Sequence, residues 1–276
     1  MTLFSDEETT EEMSFIKILN YNIRYIKISK VNSSGTIVLL HGLGASAERW
    51  AELLPHMDNN YDIVIPDIIG FGYSEKPLIE YSIDLFMKFL DEFFKKLEIK
   101  NPIIIGSSFG GQLVIEYSLR NPDYFKKIIL ISPAGTQIKS TFVLSQYIFS
   151  ALYPTIDNAK RAFQMMSNNN HHQINDSLIK DFVNRMRLPN AKYVYISTLL
   201  ALRKNNDLKN KLREIITPTL VIWGRNDATI PVNNIEYFKE NPSIKTCVMD
   251  GCGHTPFVEK PQEFYELVKD FIESEF

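Results

Sequence analysis

The chain has 276 residues, 45% of them apolar and 23% charged, with a formal net charge of −3. That composition suits one soluble α/β domain with an inserted subdomain and a core large enough to need no disulfide or metal staple. It argues against a nucleic-acid partner, because no basic excess offers phosphates a footprint.

The opening residues, "MTLFSDEETTEEMS", are acidic and polar. They lack the basic start and apolar run of a secretory signal, so residues 1–12 are expected to be a mobile tail and the location cytoplasmic. No run reaches the length of a transmembrane helix, and contact with a membrane surface is not expected. "FIKIL" (15–19) and "NIRYIKI" (22–28) predict an antiparallel hairpin around Asn20-Tyr21. "TIVLLH" (36–41) predicts a buried strand, then a Gly-rich turn and a helix near Glu48 to Met57. "YDIVIPD" (61–67) is the next strand. "SIDLFMKFLDEFFKKLEI" (82–99) repeats its apolar residues at helical spacing. "PIIIG" (102–106), "GQLVIEYSLRN" (111–121) and "KKIILIS" (126–132) continue as strand, helix and strand. Continuously apolar strands alternating with helices predict a mostly parallel sheet covered on both faces.

From Thr136 to Lys211 the pattern is helical only. It resumes with the strand "TPTLVIWG" (217–224), a helix near Ile235 to Glu240, the strand "IKTCVMD" (244–250) and a last helix over 261–274. The expected layout is a core over 13–135 and 212–276, with a helical cap over 136–211 at the carboxyl ends of the strands. Open α/β sheets bind ligands at those ends. Cys247 and Cys252 lack the spacing of a redox or zinc pair and read as free, buried thiols.

Gly106-Ser107-Ser108-Phe109-Gly110 is G-x-S-x-G centred on Ser108, between a predicted strand and a predicted helix. That pattern holds a serine hydroxyl out of a strained turn, with small residues on either side so that strand and helix can approach. Ser107 fails the test, since Ile105 and Phe109 flank it. Two other readings of the glycines are weaker. Gly106 and Gly111 have P-loop spacing, but Gln112 and Leu113 stand where the lysine and hydroxyl must be. Gly42-x-Gly44-x-x-Ala47, with Asp67 ending the next strand, imitates a dinucleotide fingerprint. It sits behind a hairpin, directly after His41, and leaves Ser108 unexplained. His41-Gly42-Leu43-Gly44 serves better as a source of oxyanion donors: the backbone N–H groups of Leu43 and of Phe109, the residue after the nucleophile.

A serine nucleophile needs a base and an orienter. His41 reads as a structural hydrogen-bonding residue, His56 as surface, and His171 and His172 as solvated in an Asn-rich stretch. His254 lies in a Gly-rich loop between the last strand and the last helix, on the sheet edge of Ser108. Asp227 follows the preceding strand, which gives the chain order Ser108, Asp227, His254. Asp250 is the rival acid. Asp227 is preferred because the acid must reach Nδ1 from a neighbouring loop.

On "HGLGAS" (41–46), "PDIIGFGYSEKP" (66–77), "GSSFGG" (106–111), and "WGRNDATIP" with "GCGHTPFVEKP", the chain resembles the α/β-hydrolase superfamily from residue 15 onward. The resemblance implies an eight-stranded sheet, a helical cap after the sixth strand, no cofactor, no metal, and a triad of Ser108, His254 and Asp227, with Leu43 and Phe109 as oxyanion donors. "LISPAG" and "GSSFGGQ" look like serine esterases and monoacylglycerol-lipase-like members, which implies a small acyl ester as substrate. "HGLGAS" and "WGRND" also resemble hydrolases of carbon–carbon bonds in ring-fission products. Those often carry an aromatic residue after the catalytic histidine, where Thr255 stands, and would need an arginine such as Arg185, Arg187 or Arg203 for a dienoate. A non-catalytic small-molecule receptor on the same fold is a third reading. Dehalogenases and epoxide hydrolases of this superfamily usually use an aspartate nucleophile, and Ser108 argues against both. The apolar segment "FVLSQYIFSALYP" (142–154) is expected to line part of an acyl pocket.

Overall fold

The computed structural model describes residues 9–57, 60–136, 140–168, 175–204 and 208–275. Its strands are β1 (Thr9–Ile18), β2 (Tyr21–Lys30), β3 (Thr36–Leu40), β4 (Asp62–Pro66), β5 (Ile103–Ser107), β6 (Lys127–Ile131), β7 (Thr219–Gly224) and β8 (Ile244–Met249). They form one sheet in the order β1-β2-β4-β3-β5-β6-β7-β8. The pairs β1/β2 and β2/β4 are antiparallel, and every pair from β4/β3 to β7/β8 is parallel. Alternate residues of a strand face opposite sides. Val38, Leu40, Ile104 and Leu130 accordingly join the core under α1 (Ile83–Lys96) and α2 (Phe109–Arg120). Ile37, Leu39, Ile105 and Ile129 join the core under α8 (Pro261–Glu273). Burial on both faces is why these strands read as unbroken apolar runs.

Helix α1 starts where the Ser82 side chain accepts from the Leu85 N–H at 3.2 Å. It buries Ile83, Phe86, Met87, Phe89, Leu90, Phe93 and Phe94 on one face, each worth about 1.5–3 kcal/mol when fully buried. Phe94 meets Tyr117 of α2 edge-on at 5.4 Å between ring centroids, which fastens the two helices together. Between β6 and β7 the described residues form the α-helices α3 (Phe142–Leu152), α4 (Ile156–Met166), α5 (Asp176–Met186) and α6 (Ala191–Lys204), followed by a 3-10 turn at Lys209–Glu214. Thr141, Thr155 and Asn175 cap the first three through their side chains. The short α7 (Pro256–Glu259) precedes α8.

Three expectations are corrected. The first strand reaches back to Thr9, into the stretch read as tail; Thr10, Glu11 and Glu12 pair with Ser29, Ile28 and Lys27. Backbone pairing along an edge needs no apolar side chain, and Glu12 lies opposite Lys27, a favourable cross-strand charge pair. Residues 1–8 of that expected tail, and His171 and His172, lie outside the described residues. The hairpin turns at Leu19-Asn20, where φ is 51° and 68°, the left-handed pair that a type I′ turn requires. The expected helices near 48–57 and 235–240 are 3-10 turns at Ala47–Trp50, Leu54–His56 and Val232–Phe238. Pro55 has no N–H to continue the first of these stretches.

Candidate active site

Ser108 stands where β5 passes into α2, with φ 53° and ψ −114°. A residue other than glycine holds such a conformation at a cost of about 1–3 kcal/mol, and only where its surroundings enforce it. Here the Ser108 N–H donates to the Ile131 carbonyl at 2.9 Å, while its own carbonyl accepts from the N–H groups of Gln112 and Ala134, both at 3.0 Å. The flanking glycines are required by close approach. A Cβ on Gly106 would lie 2.8 Å from the Gly110 carbonyl oxygen, and one on Gly110 would collide with the Leu40 carbonyl. Ser107, one residue earlier, is the buried end of β5.

Asp227 lies in the turn after β7, its N–H donating to the Gly224 carbonyl. Its Oδ1 accepts from the Thr229 and Ile230 N–H groups at 2.8 and 2.9 Å, and its Oδ2 lies 2.7 Å from His254 Nδ1. His254 is held on its other side by its N–H, which donates to the Met166 carbonyl at the end of α4 at 2.9 Å. Both side chains are buried. A carboxylate at Nδ1 fixes the proton there and leaves Nε2 as the free base of the neutral ring.

Ser108, His254, Leu43 and Phe109 line one cavity of about 730 Å³, and Asp227 sits behind His254. Phe109 is the first residue of α2, so its N–H has no acceptor inside the helix. Leu43 follows Gly42, whose carbonyl accepts from His41 Nδ1 at 2.8 Å and from the Ala45 N–H at 3.2 Å. Those two bonds fix the plane of the peptide that carries the Leu43 N–H. His41 Nε2 in turn accepts from the Ile68 N–H at 3.0 Å. Both ring nitrogens are therefore engaged, and burial pushes the His41 pKa below its ordinary value. His41 is structural, and His56 is exposed.

The other candidates fall into place. Asp250 pairs with Arg225 at the surface, away from His254. Asp67 is buried and binds Arg24 at 2.9 Å, the Ala47 N–H at 2.7 Å and the Tyr73 N–H at 2.7 Å, so it ties strand β2, the turn at Ala47 and the loop at Tyr73 together. Arg185 donates to Asp181 and to the Gly44 carbonyl, and Arg187 to the Pro154 carbonyl. Arg203 lines the cavity. Cys247 and Cys252 are free, and burial raises the Cys252 thiol to about 12. Among the described residues no group of three or more His, Cys, Asp or Glu could hold a metal ion, and no helix is long and apolar enough to cross a membrane.

From the apolar segment 142–154, Leu144, Tyr147, Ile148 and Leu152 line the cavity. The opposite wall, Ile196, Leu199, Leu200 and Leu202 of α6, was missed in the sequence. The run "ISTLLAL" carries the same apolar density, but nothing local tells which face of α6 turns to the cavity. Arg49 was missed as well: it lines the cavity and its Nη2 donates to Thr255 Oγ1 at 3.0 Å.

The model of the α/β hydrolase fold family matches residues 35–261. The chain belongs to that family. It is 29% identical to a 2-hydroxy-6-oxononadienedioate/2-hydroxy-6-oxononatrienedioate hydrolase of Paraburkholderia xenovorans, over 86% of each chain. It is 24% identical to a monoacylglycerol lipase of Xenopus laevis, over 92% of this chain and 80% of that one. Among solved structures, a meta-cleavage product hydrolase from Pseudomonas fluorescens superposes with a TM-score of 0.84 at 24% identity, covering 94% of this hydrolase and 97% of that chain. A carboxylesterase from Bacillus subtilis superposes with a TM-score of 0.82 at 18% identity, covering 97% and 93%. A dienedioate hydrolase, a meta-cleavage product hydrolase, a monoacylglycerol lipase and a carboxylesterase are thus all similar to this hydrolase.

Proposed function

We propose that this hydrolase cleaves a small carboxylic ester through an acyl-enzyme. The observation that carries the reading is the 2.7 Å contact between His254 Nδ1 and Asp227 Oδ2 at the rim of the cavity that Ser108 lines. In the reaction, Ser108 Oγ attacks the acyl carbon and its proton passes to His254 Nε2. Asp227 stabilises the imidazolium through Nδ1–H. The Leu43 and Phe109 N–H groups receive the developing oxyanion, an interaction whose loss typically costs about 10²–10³ in turnover. The tetrahedral intermediate collapses, and the alcohol leaves with the proton from His254. Water then adds to the acyl-enzyme by the same route and releases the acid. The insertion α3–α6 acts as a cap whose α3 and α6 side chains hold the acyl group.

Carbon–carbon bond hydrolysis is the second reading, supported by the similarity to a 2-hydroxy-6-oxononadienedioate hydrolase. Thr255 after the histidine weighs against it; of the arginines expected to hold a dienoate, Arg185 and Arg187 are engaged by protein acceptors, while Arg203 lines the cavity. Offering the enzyme 4-nitrophenyl butyrate and a 2-hydroxy-6-oxo-dienoate side by side separates the two. Faster turnover of the ester is expected; faster cleavage of the dienoate would give the site to the second reading.

A further inference from the structure

Among the described residues, Arg49 is a cation on the wall of the cavity with no ion-pair partner. It lies in the turn at Ala47–Trp50, and its guanidinium carbon sits 5.3 Å from the centroid of the Phe163 ring. Its one hydrogen bond among the described residues is the 3.0 Å donation from Nη2 to Thr255 Oγ1, beside His254. A guanidinium has five donors, so most of its donor capacity is unused by the protein. Among the described residues no carboxylate comes within ion-pair distance of it. Glu259 and Glu52 attract it only from farther away, and the Glu259 carboxylate already accepts from the N–H groups of Gly253, Asn168 and Thr255.

Its neighbours are treated differently. Arg24 is paired with Glu48 and Asp67, and Arg185 with Asp181. Arg185 shares with Arg49 a small void of about 30 Å³ beside the main cavity, and its charge repels that of Arg49. The wall next to His254 therefore carries a positive charge that no described side chain pairs with at salt-bridge distance. Burial opposes the charge on Arg49, yet an arginine does not give up its proton in a protein. Such a group is relieved by an incoming anion, and a guanidinium fits a carboxylate with two parallel hydrogen bonds.

We propose that Arg49 anchors a carboxylate carried by the substrate itself, so that the preferred ester is the half-ester of a dicarboxylic acid rather than a neutral one. The inference rests on the ester-hydrolase reading of the same cavity, and its test is built to fail separately. The ratio of kcat/KM for mono-4-nitrophenyl adipate to that for its methyl ester, equal in reach but uncharged, is measured for the wild type and for Arg49→Met and Arg49→Lys. The wild type should favour the anionic ester. Arg49→Met should lower the ratio about tenfold or more, mainly through KM, as expected for a lost charge-assisted hydrogen bond, and Arg49→Lys should recover part of it. In parallel, free adipate is titrated calorimetrically into the Ser108→Ala protein with and without Arg49→Met, at fixed ionic strength. Binding that depends on Arg49 without turnover of either ester would uphold the anchor and remove the ester reading. Turnover with a ratio unmoved by Arg49→Met, or an equal loss on both esters, would overturn the anchor and leave the ester reading standing.

Discussion

At the scale of single residues, the proposed chemistry rests on three side chains and their surroundings. Asp227 spends one carboxylate oxygen on two backbone N–H groups and the other on His254, so its orientation is fixed before any substrate arrives. Asp227→Asn keeps the shape and reverses the hydrogen-bond polarity at Nδ1. It should lower kcat on 4-nitrophenyl butyrate by about 10⁴, the size of the same change in the well-studied serine protease triad, with the far-UV spectrum unchanged. His41 makes a different prediction. Replacing it by Ala leaves the Ile68 N–H without its ring partner, at a cost of about 1–3 kcal/mol measurable by urea unfolding, while the Gly42 carbonyl keeps its bond from the Ala45 N–H. Its folded pKa lies below the unfolded value of 6.5, because burial disfavours the charged ring. Above pH 6.5 the corresponding stability is complete. Below it the unfolded chain takes up the proton first and stability falls toward the folded pKa. The urea midpoint should therefore drop between pH 7.5 and 5, and the drop should shrink in the His41→Ala variant.

At the scale of elements, the turn from β5 to α2 was legible in the sequence because its chemistry is local. Gly106 and Gly110 stand where strand, helix and β3 nearly touch, and only one serine of the pair has them as flanks. Gly110→Ala drives a methyl group into the Leu40 carbonyl and should destabilise the fold by at least about 1–3 kcal/mol, read as a lowered Tm. The strands were equally legible, since burial on both faces leaves unbroken apolar runs. The 3-10 turns at 47–56 and 232–238 were not: helical apolar spacing is the same for a short 3-10 turn as for one turn of α-helix, and tertiary packing decides between them. The start of β1 was hidden for another reason. Glu11 and Glu12 suit an edge strand as well as a tail, and the choice is made by β2, more than ten residues away along the chain.

At the scale of the whole molecule, helices α3 and α6 of the insertion between β6 and β7 line one cavity together with loops of the core. The catalytic candidates come from loops of the core, whereas α3 and α6 supply most of the apolar wall. That division explains what the sequence could not show. Motifs mark chemistry at fixed spacing, but the pocket is assembled from helices whose facing depends on how they dock. A cavity of about 730 Å³ exceeds what an acetyl group fills. Each further methylene that it buries contributes up to about 0.8 kcal/mol, so kcat/KM should climb by as much as about fourfold per carbon from the acetate to the hexanoate ester. Ile148→Trp, which fills the α3 side of the cavity, should move the optimum to shorter chains. An unchanged chain-length profile in that variant would place the acyl group elsewhere.

The most direct measurement compares the wild type with Ser108→Ala on 4-nitrophenyl butyrate at pH 7.5, with the His254→Ala protein alongside. The account predicts measurable turnover in the wild type and a loss of at least about 10³-fold in both variants, since members of such a triad act as a unit. Turnover that survives in Ser108→Ala would contradict it, because Ser108 is the residue assigned as the nucleophile of the acyl-enzyme.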